Sequence, residues 1–511
     1  MAERADAGYF TGTEYPTAVY PLQSPVAINH AAIANGHAAP DLARPFTYCE
    51  LGCGAGLTVN TLAGCYPQAT FHAIDFMAEH IAKARQDAAA AGLANITFHH
   101  ASIIDLDPAT LPAFDYVTMH GVWAWVGEPV RRAIVRFLTQ ALKPGGLVYV
   151  SYNALPGAAA AMPLRDALRR HAARHPDDPI AGLREGIEHM TRLKEQGALV
   201  FRNIAHMGGV LDAMRKMDPR LVAHEYLNDA WTPMHVAQVA ADLAPAGLKL
   251  AGGARLRDNL LDFLAPTAFH DALRGLDDRI AFETECDLIL NRHFRTDVFV
   301  RSDAPPDPPE AAAARFADRV FGTHQTRDSL KDRIETQSHA IEIKAPIFGR
   351  IADALCRRPM RFSDLAALPD LRDSSAAQLV EAINVLAAAD WLAMLAGPPL
   401  DADLPADART RLSPFNRWAI LDQLPKGAGA VVASPVAGNG VHVSMIHGLL
   451  LMASGEVGEA EAPDWCLAQM KSGGGQGDDE KARGALTRAA ERFWHGGGRA
   501  RYLALGIIET A

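Results

Sequence analysis

Glu50 stands two residues ahead of a glycine turn, in Y48-C-E-L-G-C-G-A-G-L57, and Asp75 follows Gly56 by nineteen residues. The turn places Gly52, Gly54 and Gly56 at alternate positions, after an apolar run that reads as a buried strand. Glycine turns at strand ends cradle nucleotide-like ligands, because backbone N–H groups and a helix N-terminus converge there. The dinucleotide fingerprint G-x-G-x-x-G puts its third glycine one place later. A carboxylate at position 50 would also repel a pyrophosphate resting on the turn. It suits a ligand that carries an ammonium group and ribose hydroxyls.

S-adenosylmethionine is such a ligand, with a sulfonium, an α-amino group and no phosphate. Asp75 ends the next strand, where a carboxylate can take both ribose hydroxyls. Ala101 and Ser102 close the third strand, where the adenine edge should lie. Cys53 contributes its backbone to the turn. The set E-x-G-x-G-x-G, Asp75 and L142-K-P-G-G146 before a fifth strand resembles class I S-adenosylmethionine-dependent methyltransferases. That resemblance implies a cofactor site of Glu50, Gly52, Cys53, Gly54, Gly56, Asp75, Phe76, Ala101, Ser102 and His120.

A longer pattern adds Y20-P-L-Q-S-P25, H120-G-V-W-A-W-V126, S151-Y-N-A-L-P-G157 and H224-E-Y-L-N228. Together with a proline-linked C-terminal region it resembles bacterial methyltransferases that carry a methyltransferase regulatory domain. Among these are lysine methyltransferases of outer-membrane proteins, so the resemblance implies a protein substrate, such as an envelope protein. A lysine ammonium has no lone pair, and deprotonating it at pH 7 costs roughly 4.6 kcal/mol. Aromatic walls lower that cost by disfavouring the charged form. Trp123 and Trp125, with Tyr152, are the candidate walls. On a strand the two tryptophans would share a face. Asn153 or the carbonyl of Ala154 could aim the amine, and His120 could act as a base. A small metabolite or another nitrogen is the alternative acceptor. A cofactor-sensing regulatory or binding protein is the alternative of another class.

These residues need a parallel sheet to bring them together. Strands are predicted at 46–51, 70–74, 96–101, 114–120 and 147–152, with helices at 57–65, 78–91 and 129–142. Alternating β and α elements predict a doubly wound, Rossmann-like α/β fold with ligands at the carboxyl ends of the strands. Residues 1–45 form a lead-in, with a short helix near 29–35, and 46–157 carry the first five strands. A helical insert spans 158–231. Residues 232–302 hold the last two strands, at 248–254 and 297–301, around a regulatory insert at 258–295. Four prolines within S302-D-A-P-P-D-P-P-E310 mark 303–310 as a linker. Residues 311–511 read as a winged-helix-like C-terminal domain. Its helices fall at 347–356, 362–368 and 375–389, with a small wing from 391–395 and 409–413. Residues 471–484 read as a mobile loop.

The 511 residues are 49% hydrophobic and 21% charged, with net charge −10, an ordinary globular composition long enough for two or three domains. The acidic balance argues against nucleic-acid binding, as does the absence of Lys and Arg from 375–386. Protein–protein contact, substrate docking or homodimerisation fits the C-terminal domain better. No apolar run reaches membrane-spanning length. The N-terminus shows no secretory signal, and six scattered cysteines read as reduced thiols, which together predict a cytoplasmic protein. No metal site is expected. His171 and His175 share an arginine-rich helix whose cations would repel one, and His224-Glu225 lacks the second histidine of a zinc-protease helix.

Overall fold

The computed structural model describes residues 18–323, 325–336, 338–401, 405, 408–472 and 479–511. The part of the lead-in that precedes residue 18 lies outside them. Seven strands build the central sheet: β1 (Thr47–Leu51), β2 (Thr70–Asp75), β3 (Ile96–His100), β4 (Phe114–Met119), β5 (Leu142–Asn153), β6 (Leu248–Gly253) and β7 (Phe294–Arg301). Their order is β3-β2-β1-β4-β5-β7-β6. The first five run parallel, and β7 is antiparallel to both β5 and β6. This is the Rossmann-like sheet of class I methyltransferases, and the order reverses between β1 and β4. At that switch point the connections leave toward opposite faces and open a crevice at the strand ends.

Helices α1 (Pro25–Ala34), α2 (Leu57–Cys65), α3 (Ala78–Ala90), α4 (Glu128–Ala141) and α5 (Val236–Leu243) cover the sheet. Alternation along the strands sends Tyr48, Tyr116 and Tyr149 to one face, with α1, α2 and α3. It sends Cys49, Val117, Val148 and Val150 to the other, with α4 and α5. Between Met162 and Tyr226 the described elements are helices, as the periodicity predicted, and they enclose a separate small core around Leu168, Leu183 and Leu211. A further helix, α6 (Arg279–Leu290), packs behind β7.

The proline-rich segment after β7 is not detached. Asp307 donates its N–H to the carbonyl of Gly36 at 2.9 Å, and its carboxylate pairs with Arg315 at 2.6 Å. Beyond it, Phe316, Phe321, Leu386 and Met394 join the same apolar cluster as α1 and the sheet. Helices Pro346–Arg357, Phe362–Ala366 and Ala376–Ala388 appear as expected. The expected wing does not form. Ala393–Leu395 pairs with Val320–Gly322, and Thr410–Leu412 pairs with Ile508–Thr510. The first pairing buries Phe321 and Met394, which a hairpin of 391–395 with 409–413 would leave without a common core. Of the loop expected at 471–484, residues 471–472 and 479–484 are helical. Helices Ala462–Ser472 and Asp479–His495 flank residues 473–478, which lie outside the described residues, and Arg483 pairs with Asp464 across the two helices at 2.6 Å. Among the described residues no helix is long and apolar enough to cross a membrane.

Candidate active site

The glycine turn leaves β1 with φ of +72°, +54° and +77° at Gly52, Gly54 and Gly56. L side chains rarely adopt these angles. A Cβ on Gly52 would meet Val122 at 2.6 Å, and one on Gly56 would meet Ala84 of α3 at 2.7 Å. Gly54 differs, since a Cβ there would meet nothing within 4 Å. Two glycines are therefore fixed by packing, and the middle one faces the space a ligand would fill. The N–H groups of Gly52 and Cys53 both donate to the carbonyl of Ile74, at 2.8 and 3.1 Å, which ties the turn to the end of β2.

Glu50 is 4% exposed, and its Oε2 has no hydrogen-bond partner. Burial pushes its carboxyl up to about 8; Gln23 opposes the rise and the nearby Asp75 adds to it. Asp75 accepts the N–H of Gly54 on Oδ2 and that of Met77 on Oδ1, both at 2.9 Å. Each carboxylate oxygen keeps a lone pair for a hydroxyl. Ala101 donates its N–H to the Asp75 carbonyl at 3.1 Å, and Ser102 Oγ accepts from Ile104 at 3.3 Å. The Phe76 carbonyl lies 3.0 Å from His100 Nε2. Nine of the ten predicted cofactor residues thus gather at the ends of β1, β2 and β3, and the tenth, His120, follows β4. They fit S-adenosylmethionine: a buried carboxylate oxygen awaits a cation, a second carboxylate is poised for a diol, and the turn offers room at Gly54.

Residues 20–24 form a strap over this turn. Tyr20 donates its N–H to Thr58 Oγ1 at 3.1 Å, and Tyr48 donates its hydroxyl to the Gln23 carbonyl at 3.2 Å. The Tyr20 ring stacks on His120 with centroids 3.8 Å apart. Tyr20 and His120 begin the wall of a cavity of about 610 Å³ that continues past Tyr149, Phe294 and Thr296 to Arg255 and Met394. His120 Nδ1 lies 2.9 Å from the Tyr149 hydroxyl. Burial, with the Arg255 charge second, lowers the His120 imidazole to about 4, so it is neutral at pH 7. Moving a proton to it from a lysine ammonium would cost roughly 8–9 kcal/mol. An imidazole this weakly basic is poorly suited to taking that proton, and His120 lines the cavity wall.

The predicted aromatic walls separate. Trp123 and Trp125 lie on a single 3₁₀ turn, Trp123–Trp125, not on a strand. Trp123 is 0% exposed, in the core with Ile134 and Met234, and does not line the cavity. Trp123→Ala is expected to cost about 3–5 kcal/mol of stability, read as a loss of midpoint in denaturant melts. Tyr152 is also fully buried. It points to the opposite sheet face from Tyr149 and donates its hydroxyl to Asp297 Oδ2 at 2.6 Å. Asn153 remains near the cavity, paired in register with Phe294, and its Oδ1 accepts from Trp231 Nε1 at 3.0 Å. Trp125 packs on Trp231 at 5.9 Å, and Arg165 covers the same ring. The Ala154 carbonyl accepts from Ala158. His171 and His175 both contact Glu185, and no group of metal-ligating residues occurs among the described residues.

Several residues escaped the sequence reading. Tyr149 carried a signal, since it alternates with Tyr152 along β5. Trp231, Phe294, Arg255 and Asn439 carried none, because only the fold brings them to the strand ends.

The switch-point crevice with a carboxylate at two strand ends suits the class I methyltransferase fold, and S-adenosylmethionine is the cofactor that fold takes. Comparison with known proteins agrees. Residues 49–146 match the model of a methyltransferase domain, and residues 218–301 match that of a predicted methyltransferase regulatory domain. The second match includes β6 and β7, so the region it describes completes the same sheet. PKMT2 from Rickettsia typhi shares the fold, with a TM-score of 0.73 and 19% identity over 96% of this chain and 100% of that one. A second structure of it, in complex with AdoHcy, gives 0.72 and 18%. The uncharacterized protein sll1526 of Synechocystis is 29% identical over 87% of both chains. RP789 of Rickettsia prowazekii is 29% identical over 58% of this chain, which spans 54% of that protein's length.

Proposed function

We propose that this protein transfers the methyl group of S-adenosylmethionine to lysine side chains of a protein. The observation that carries the reading is the unpartnered, buried Oε2 of Glu50 at the turn, one strap away from an aromatic cavity. The likeness of fold to PKMT2 and the family resemblance of the sequence support protein lysine over other acceptors. The bound cofactor supplies an electrophilic methyl group.

This chain's residues do the rest. Glu50 receives the α-ammonium, Asp75 the ribose hydroxyls, and the loop at Ala101 and Ser102 borders the base. Tyr20, His120, Tyr149 and Phe294 wall the route to the methyl group. Their low-dielectric faces disfavour an ammonium and so favour the neutral amine. Asn153, held by Trp231, is placed to orient that amine, and positioning of this kind supplies much of the rate. The amine's proton leaves to solvent, since the neutral His120 is too weak a base to take it.

Incubating the protein with methyl-labelled donor and a cell extract tests the reading. Label is expected in protein and, after acid hydrolysis, in methyllysine. Label confined to small molecules would contradict it. Asn153→Ala should lower kcat at least tenfold while leaving calorimetric donor affinity unchanged.

A further inference from the structure

The hairpin Ala430–Ser434 with Asn439–Val443 belongs to the far C-terminal part of the chain, yet it reaches α2 and strap 20–24. Asn439 Nδ2 donates to the Pro21 carbonyl at 3.0 Å and to Ser24 Oγ at 3.1 Å. Beside it the Gly438 carbonyl accepts the Tyr66 hydroxyl, at the end of α2, at 2.8 Å. A Cβ on Gly440 would lie 3.0 Å from Thr61 of α2 and 3.6 Å from Val19. The hairpin therefore runs along α2 and braces the strap from outside. Asn439 also lines the cavity.

We propose that Asn439 is a positioning residue for the cofactor site, holding strap 20–24 closed over the glycine turn so that the C-terminal part completes what the sheet begins. The inference rests on the reading that the turn holds S-adenosylmethionine. The strap sets the Gln23 side chain, which faces Glu50, and the Tyr20 ring, which caps His120. On the sheet side the strap is held by Tyr20 to Thr58, Thr58 Oγ1 to the Ala18 carbonyl at 3.2 Å, Tyr48 to Gln23 and the Tyr20 stack on His120. An ordered strap spares the ligand the entropy of fixing it, which raises affinity through preorganisation. The two N–H donors of Asn439 supply that order from a point more than 400 residues away in sequence.

The test compares Asn439→Asp, which keeps the shape and removes the donors, with Asn439→Gln, which keeps an amide. Donor Kd by calorimetry and donor KM are expected to rise about tenfold in Asn439→Asp, with kcat within about twofold and most affinity retained in Asn439→Gln. The His120 imidazole, followed by NMR, titrates near 4 under the closed strap and should move up toward its ordinary value in Asn439→Asp. A merely structural role would lower the melting temperature of both variants without moving that titration. Unchanged Kd and unchanged His120 titration in Asn439→Asp would overturn the proposal. A wild-type protein that binds no donor would overturn the cofactor reading instead, and the His120 titration would still decide whether Asn439 holds the strap.

Discussion

Glu50→Gln is expected to weaken binding of S-adenosylmethionine about a hundredfold and to raise the melting temperature of the protein above pH 8. The two effects share one cause. Burial holds the Glu50 carboxyl near 8, whereas the unfolded chain ionises it near 4.5. Between these values the native state keeps a proton that the unfolded state has lost. Stability therefore falls as pH rises through this window, and the loss is complete above about 8. An amide has no such dependence, so the variant gains on the wild type with rising pH, by roughly 2 °C or more at pH 8.5. Binding has the opposite need. An ammonium against Oε2 favours the charged carboxylate, and a charge-assisted contact of this kind in a dry site is worth a factor of about 10² in affinity. Affinity of the wild type should climb about tenfold per pH unit below 8 and fall again as the ligand's own amine, with a pKa of about 7.7–8.0, loses its proton. Most of one proton should be released per ligand at pH 7, read by calorimetry in buffers of different ionisation heat. A flat affinity from pH 6 to 8 would show that Glu50 does not meet the cation.

Arg295→Met should be among the most destabilising single changes in the methyltransferase region, at about 3–5 kcal/mol. The guanidinium sits among three buried carboxylates: Nη2 to Glu283 at 2.9 Å, Nη1 to Asp287 at 2.7 Å and Nε to Asp297 at 2.8 Å. All four residues are at most 2% exposed. Removing the cation leaves Glu283 and Asp287 with Arg279 and Arg292, at 2.7 and 2.9 Å, but strands Asp297 with only the Tyr152 hydroxyl. An uncompensated buried charge is costly unless it takes up a proton. Burial already raises Asp287 to about 6 despite Arg295. In the variant the carboxyls shift further upward, so its stability deficit should be smaller at pH 5.5 than at pH 7.5. The cluster joins α6 to β7, and Phe294 and Thr296 of β7 line the cavity, so turnover should fall together with stability. A loss below about 1 kcal/mol in denaturant melts would contradict this account.

The same cluster shows where sequence reading stops. The periodicity of 46–152 is local, and β1 through β4 with α2, α3 and α4 fall within a few residues of their predicted bounds, whereas β5 begins at Leu142, five residues early, because Leu142 pairs with Phe114 across an irregular register and draws the expected turn 143–146 into the strand. Glu50 and the three glycines share one short strand–turn stretch, and the end of β2 brings Asp75 to it through the Gly54 N–H. β7 was predicted to begin at 297, three residues late, because Arg295 reads as a solvent-facing residue until its carboxylates on α6 are seen. Trp123 and Trp125 were misread because a 3₁₀ turn sends residues two apart in different directions, one to the core and one to Trp231. The wing failed for a related reason: Ala393–Leu395 finds its partner at Val320–Gly322, some seventy residues upstream. Tyr20 meets His120, and Asn439 meets Pro21 and Ser24, through contacts that no local pattern encodes.

The central claim is that a buried carboxylate at the first strand end receives a positively charged nucleoside. Calorimetric titration of the intact protein at pH 8 with S-adenosylhomocysteine, and separately with NAD, tests it most directly. The account predicts one site per chain for the first ligand and no heat for the second. Saturable binding of NAD, with none of S-adenosylhomocysteine, would contradict it.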